Sequence, residues 1–111
     1  LARVYAALAN GGALDGRRVV REETLRAVYD RQGWSENDRV MCKPMGWSQG
    51  FVKEETHLFS PNPESFGHPG AGGFLGWADP VAKTSVGYVL NAMTTHVRSP
   101  RAIALCHALY A

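Results

Sequence analysis

An α+β fold is predicted by three features of this 111-residue chain. Apolar residues repeat at helical spacing near both ends, residues 84–93 alternate as a strand does, and turn-forming residues crowd the region between. The order helix, helix, strands, helix places an antiparallel sheet under the last helix.

Leu1, Val4, Tyr5 and Leu8 follow the i, i+3, i+4, i+7 pattern of one helical face. Asn10-Gly11-Gly12 ends that helix with residues that tolerate a left-handed cap. Residues 16–20 read as a short extended piece leading into a second helix over residues 21–31. Glu22 and Glu23 suit the positive end of that helix's dipole, and Leu25, Val28 and Tyr29 give it an apolar face, although no good N-cap residue precedes it. Residues 32–38 are polar and read as a loop. Residues 40–52, with Trp47 and Phe51, include a strand whose start Pro44 limits. Residues 53–64 read as an exposed connection ending in the turn-rich Ser60-Pro61-Asn62-Pro63.

A strand over residues 73–78 is stopped by Asp79-Pro80 and forms an antiparallel hairpin with residues 84–93, whose Val86, Tyr88, Leu90 and Ala92 share one face. The final helix has Ser99 as N-cap and Pro100 at its first position, with Ala102, Leu105, Cys106 and Leu109 at helical spacing.

With 45% hydrophobic and 20% charged residues the composition is that of one globular domain. A formal charge of +2 is too small to argue for a nucleic-acid or membrane partner. The densest basic group, Arg17, Arg18 and Arg21, has no interleaved aromatics and reads as a solvated face. Cys42 and Cys106 are read as free, buried thiols. No apolar run approaches the roughly 20 residues of a membrane-spanning helix. Because the chain starts inside a helical pattern, its natural beginning is expected upstream of Leu1.

Five of the twelve glycines fall in residues 66–80, around a single histidine, His68. A strand gains nothing from so many glycines, so the density points either to close approach by a ligand or another segment, or to a plain surface loop. A histidine beside exposed backbone N–H groups suits proton transfer or electrostatic stabilisation.

Gly46-Trp47-Ser48-Gln49-Gly50 matches G-x-S-x-G, and Asp79 followed by His96 or His107 would complete a Ser, Asp, His order. That elbow needs a helix straight after the serine, whereas polar loop and proline follow, so Ser48 is read as an ordinary strand residue. His57, His68, His96 and His107 lack metal-ligand spacing, and neither metal nor cofactor is expected.

The block Phe66-Gly67-His68-Pro69-Gly70-Ala71-Gly72-Gly73, continuing through Trp77-Ala78-Asp79-Pro80 to Gly87-Tyr88-Val89-Leu90-Asn91, resembles the C-terminal region of the serine β-lactamase-related family. That group comprises class C β-lactamases, penicillin-binding-protein-like proteins and esterases. Residues 1–16, 46–51 and 100–110 resemble the flanking helix and turn, the preceding strand and the last helix of the same family. The resemblance implies the C-terminal portion of a β-lactamase/transpeptidase-like fold, with the whole chain one segment of a single hydrolase domain. It also implies a serine hydrolase acting on small-molecule ester or amide substrates through an acyl-serine intermediate.

The family's Ser-x-x-Lys and Tyr-x-Asn motifs are absent from the chain. The resemblance therefore implies that the nucleophile lies upstream, that this segment partners the missing N-terminal part, and that it is inactive alone. Only the third motif carries over: His68-Pro69-Gly70 takes the place of Lys-Thr-Gly. His68 would stand for the lysine, Gly70 and Gly72 would keep the strand open to substrate, and the Ala71 N–H would supply one oxyanion donor. Pro69 replaces the threonine and removes a hydroxyl that could bind a substrate carboxylate; lacking an N–H, it also places its strand at an edge or open cleft. An ester or amide is therefore favoured over an anionic β-lactam. The competing readings are a non-catalytic relative used for binding or scaffolding and a small independent interaction domain. The presence or loss of the two upstream motifs separates enzyme from pseudoenzyme.

Overall fold

The computed structural model describes residues 1–53 and 58–111; His57, one of the four histidines without metal-ligand spacing, and part of the expected 53–64 connection lie outside them. The described residues form three helices, α1 (Ala2–Ala9), α2 (Glu22–Tyr29) and α3 (Pro100–Ala108), and seven strands. The strands are β1 (Ala13–Leu14), β2 (Arg17–Arg18), β3 (Gly33–Asp38), β4 (Lys43–Trp47), β5 (Phe66–Pro69), β6 (Leu75–Asp79) and β7 (Thr84–Tyr88). All pairings are antiparallel: β1 with β2, β3 with β4, and β5–β6–β7 in that order. Val52 bridges Trp47 on one side and Gly67 on the other, joining the β3–β4 hairpin to the three-stranded sheet.

β6 is buried along its whole length because both of its faces are covered. On one face Leu75 and Trp77 pack with Ala102 and Cys106 of α3, and the Trp77 indole N–H donates to the Cys106 sulfur at 2.9 Å. On the other, Ala78 joins Tyr5, Ala9, Val28 and Phe66 beneath α1. Gly76 lies under the Tyr5 ring, which occupies the space where a Cβ would project. Any side chain there would lift α1 from the sheet. The expected cover by the last helix is thus one of two.

The expected helices form, but their apolar stripes are only partly buried. Tyr5 is inside while Val4 is 63% exposed; Ala102 and Cys106 are inside while Leu105 and Leu109 remain exposed. Ser99 stands at the N-cap of α3 with Pro100 behind it, yet its hydroxyl makes no capping bond.

Four expectations are corrected. Residues 32–38 are not a loop: Gly33–Asp38 forms a strand. Its residues lack apolar alternation because register comes from the neighbour, with Trp34 opposite Gly46 and Ser35 opposite Met45. Arg31 lies 4.7 Å from the Trp34 ring centroid and the indole N–H donates to Glu36, so polar residues themselves dress this strand. The second strand of the main hairpin stops at Tyr88, leaving Val89 and Met93 exposed. Cys42 is exposed, in a turn with φ of +53°, and only Cys106 is buried. Finally, within the described part of residues 53–64, Lys53, Phe59 and Ser60 are buried. Lys53 crosses back to donate to the carbonyls of Pro63 and Ser65, and burial pulls its ammonium down to about 8.

Asp79, fully buried, ties three segments together. One carboxylate oxygen accepts the Val81 and Ala82 N–H groups at 2.9 Å each; the other accepts the Asn62 amide at 2.8 Å and the Tyr110 hydroxyl at 2.7 Å. The β6–β7 turn, the residue 60–65 loop and the end of the last helix therefore share one anchor.

Candidate active site

β5 carries His68 to the open end of the sheet. Phe66 and Gly67 are buried and paired with β6, and Gly67 also exchanges two backbone bonds with Val52. Alternation turns the next outward-facing backbone groups, those of Pro69, away from β6. The missing proline N–H is therefore harmless there, and the Pro69 carbonyl is free to accept from the His68 ring at 2.9 Å. The expected edge position is met from Pro69 onward, while Gly67 is paired on both sides.

That ring contact assigns a tautomer. A carbonyl only accepts, so Nδ1 carries the proton, and in the neutral imidazole Nε2 is left as a bare acceptor. His68 is exposed, and the Trp47 ring lies beside it with centroids 5.9 Å apart.

After Pro69 the chain makes a tight turn. The Gly70 N–H donates to Phe74 at 2.7 Å and the Gly73 N–H to Gly70 at 3.1 Å. Gly72 and Gly73 hold φ of +90° and +101°, a conformation that disfavours any other residue. A Cβ at Gly72 would also strike the Met93 side chain, and the Thr94 N–H pins the turn by donating to the Gly72 carbonyl at 2.9 Å. Among the described residues, the N–H groups of Ala71 and Gly72 have no acceptor. Ala71 is exposed and follows His68 by three residues. Adjacent unpaired N–H groups of this kind form a concavity suited to developing negative charge. Pro69, Phe74, Leu75 and Ala102 pack below, leaving a void of only about 10 Å³, so the turn has a firm base.

His68, Pro69, Gly70, Ala71 and Gly72 thus form one continuous segment in which His68 and Ala71 are exposed, Gly70 is half-buried, and Pro69 and Gly72 are buried. The elbow alternative does not form: Ser48 follows β4, and its N–H donates to Phe51 at 3.0 Å in a turn that leads straight back to Val52, with no helix after it. Asp79, its notional triad partner, is occupied by bonds from Val81, Ala82, Asn62 and Tyr110, and His96 and His107 are exposed. Among the described residues no group of three or more His, Cys, Asp or Glu could hold a metal, and no helix is long and apolar enough to cross a membrane. Trp47 is the neighbour that sequence reasoning missed, since only the Val52 bridge brings β4 beside β5.

No family model matches the chain. An esterase/β-lactamase of Mycobacterium tuberculosis, LipL, is 34% identical over 90 residues, which make up 81% of this chain and 20% of that protein. A solved family VIII carboxylesterase is 39% identical and superposes with a TM-score of 0.89, covering 98% of this chain. The chain is related to the serine β-lactamase-related family over part of that family's length. A penicillin-binding-protein homologue from Caulobacter crescentus agrees, at 34% identity and a TM-score of 0.90, as does EstA from Arthrobacter nitroguajacolicus Rue61a, at 33% and 0.76. The chain spans 29–30% of the length of those three solved chains. The α+β architecture expected from the sequence is the one these relatives share.

Proposed function

We propose that this chain is the C-terminal segment of a serine hydrolase domain and supplies the His-Pro-Gly wall of its active site, the nucleophile being provided from outside residues 1–111. The observation that carries this reading is the exposed residue Ala71, whose N–H has no acceptor among the described residues, on a glycine-built turn three residues after His68. The names of the relatives, carboxylesterase and esterase/β-lactamase, supply the reaction class.

In the proposed reaction a serine oxygen adds to the substrate carbonyl carbon and loses its proton. The Ala71 N–H, together with the nucleophile's own N–H, holds the resulting oxyanion. The C–O or C–N bond then breaks, and the alcohol or amine departs with the proton. Water adds to the acyl-serine, releasing the acid and restoring the hydroxyl. With Nδ1 on the Pro69 carbonyl, Nε2 is the His68 atom left to meet this proton network, on a ring shorter and stiffer than the chain of a lysine. Gly70 and Gly72 admit substrate to the backbone. Pro69 offers neither a hydroxyl nor an N–H to a substrate carboxylate, so ester or amide substrates are favoured over anionic β-lactams.

The complete protein carrying this segment is expected to hydrolyse a chromogenic ester faster than a chromogenic cephalosporin. Turnover of the cephalosporin alone would overturn the substrate assignment. The isolated 111-residue chain is expected to be inactive; esterase activity in it that disappears in Ser48→Ala would return the nucleophile to Ser48.

A further inference from the structure

We infer that Trp47 is a specificity-determining residue whose indole face receives an uncharged, apolar group of the ester, on the His68 side of the scissile carbonyl. The inference rests on the reading of residues 68–72 as a hydrolase wall and names what that wall selects.

Three observations support it. The indole lies beside the His68 imidazole, at 5.9 Å between centroids and 45° between planes, so a group bound at His68 has an aromatic surface next to it. Its backbone is fixed from both sides, opposite Gly33 in β3 and Val52 in the bridge, and its carbonyl accepts the Gln32 N–H at 2.8 Å. Trp47 is half-buried, packing one part of the ring against the core that contains Met45 and Val52 while the rest stays open. A large ring held this way offers apolar area with little ordering cost on binding.

The far end of the same segment is apolar too. Met93, 68% exposed, lies over Gly72, and a thioether adapts its shape to apolar ligands. A charged substituent would have to shed its water against both surfaces, which is unfavourable without a partner.

The apolar group could be the acyl chain or the alcohol, and two ester series distinguish them. One varies the acyl chain from acetyl to octanoyl with a constant nitrophenol; the other varies the alcohol with a constant acetyl group. In the complete protein, Trp47→Ala is expected to lower kcat/KM for the longest member of one series by about tenfold more than for the shortest. Trp47→Phe, which preserves packing, is expected to show a smaller loss graded in the same direction. Equal losses along both series, or none in either, would overturn the inference. A non-reactive series of methyl alkyl ketones, followed by isothermal titration calorimetry, tests binding independently of turnover. Affinity is expected to rise with chain length in the wild type and to lose that dependence in Trp47→Ala; affinity independent of length in the wild type would overturn the inference. Absence of any ester hydrolysis, with ketone binding intact, would instead count against the hydrolase assignment alone.

Discussion

Replacing Ala71 with proline is expected to lower kcat for ester hydrolysis by about 100-fold or more, with a much smaller change in KM. The substitution removes one N–H and little else. Ala71 is exposed, it is not among the residues with positive φ, and its N–H makes no bond within the described structure that would be lost. An oxyanion donor acts where charge develops, in the transition state rather than in the bound ester, so the loss should fall on kcat. Ala71→Gly retains the N–H and separates loss of the donor from loss of the methyl group. A proline variant with unchanged kcat would remove Ala71 from the site. Steady-state kinetics on the complete protein with a single chromogenic ester makes the comparison.

Asp79→Ala should have the largest effect on stability, about 3 kcal/mol or more. The change leaves the Asn62 amide, the Tyr110 hydroxyl and the Val81 and Ala82 N–H groups without their acceptor, at a place with no exposure to water. Burial alone would raise the Asp79 pKa, but bonds from Ala82, Tyr110, Asn62 and Ser60 outweigh it and hold the carboxyl below its ordinary value. The sign follows from linkage: the contribution is fully present above the ordinary carboxylate range and is lost as pH falls through the depressed folded value. Tyr110 does not compete for the proton, because burial and the bond to Asp79 both push its phenol upward, so it remains a donor. Urea titrations of wild type and variant at neutral and acid pH test this. The gap should narrow on acidification; a gap that is independent of pH would mean that Asp79 acts through packing alone.

Much of this arrangement was legible in the residues. Glycine density around His68 marked the exposed turn, Asp79-Pro80 marked the end of β6, and Ser99-Pro100 marked the start of α3. What could not be read were features set by partners distant in sequence. Gly33–Asp38 is a strand because β4 lies beside it, and its own residues show no period of two. Thr84–Tyr88 ends opposite Leu75, where β6 begins, although the alternating pattern continues to Ala92. The buried Asp79 looked like a turn residue because its partners Asn62 and Tyr110 lie 17 and 31 positions away. In the site, the His-Pro-Gly segment was visible as a continuous stretch, while Trp47 was not. Its place beside His68 depends on a single residue, Val52, pairing on both sides.

The central claim is that this chain forms a wall of a serine hydrolase site whose nucleophile lies elsewhere. Treating the complete protein with an aryl fluorophosphonate and mapping the adduct by peptide mass spectrometry tests it directly. The account predicts stoichiometric labelling of one serine outside residues 1–111, slowed in Ala71→Pro. A label on Ser48, or on any other serine within the chain, would contradict it.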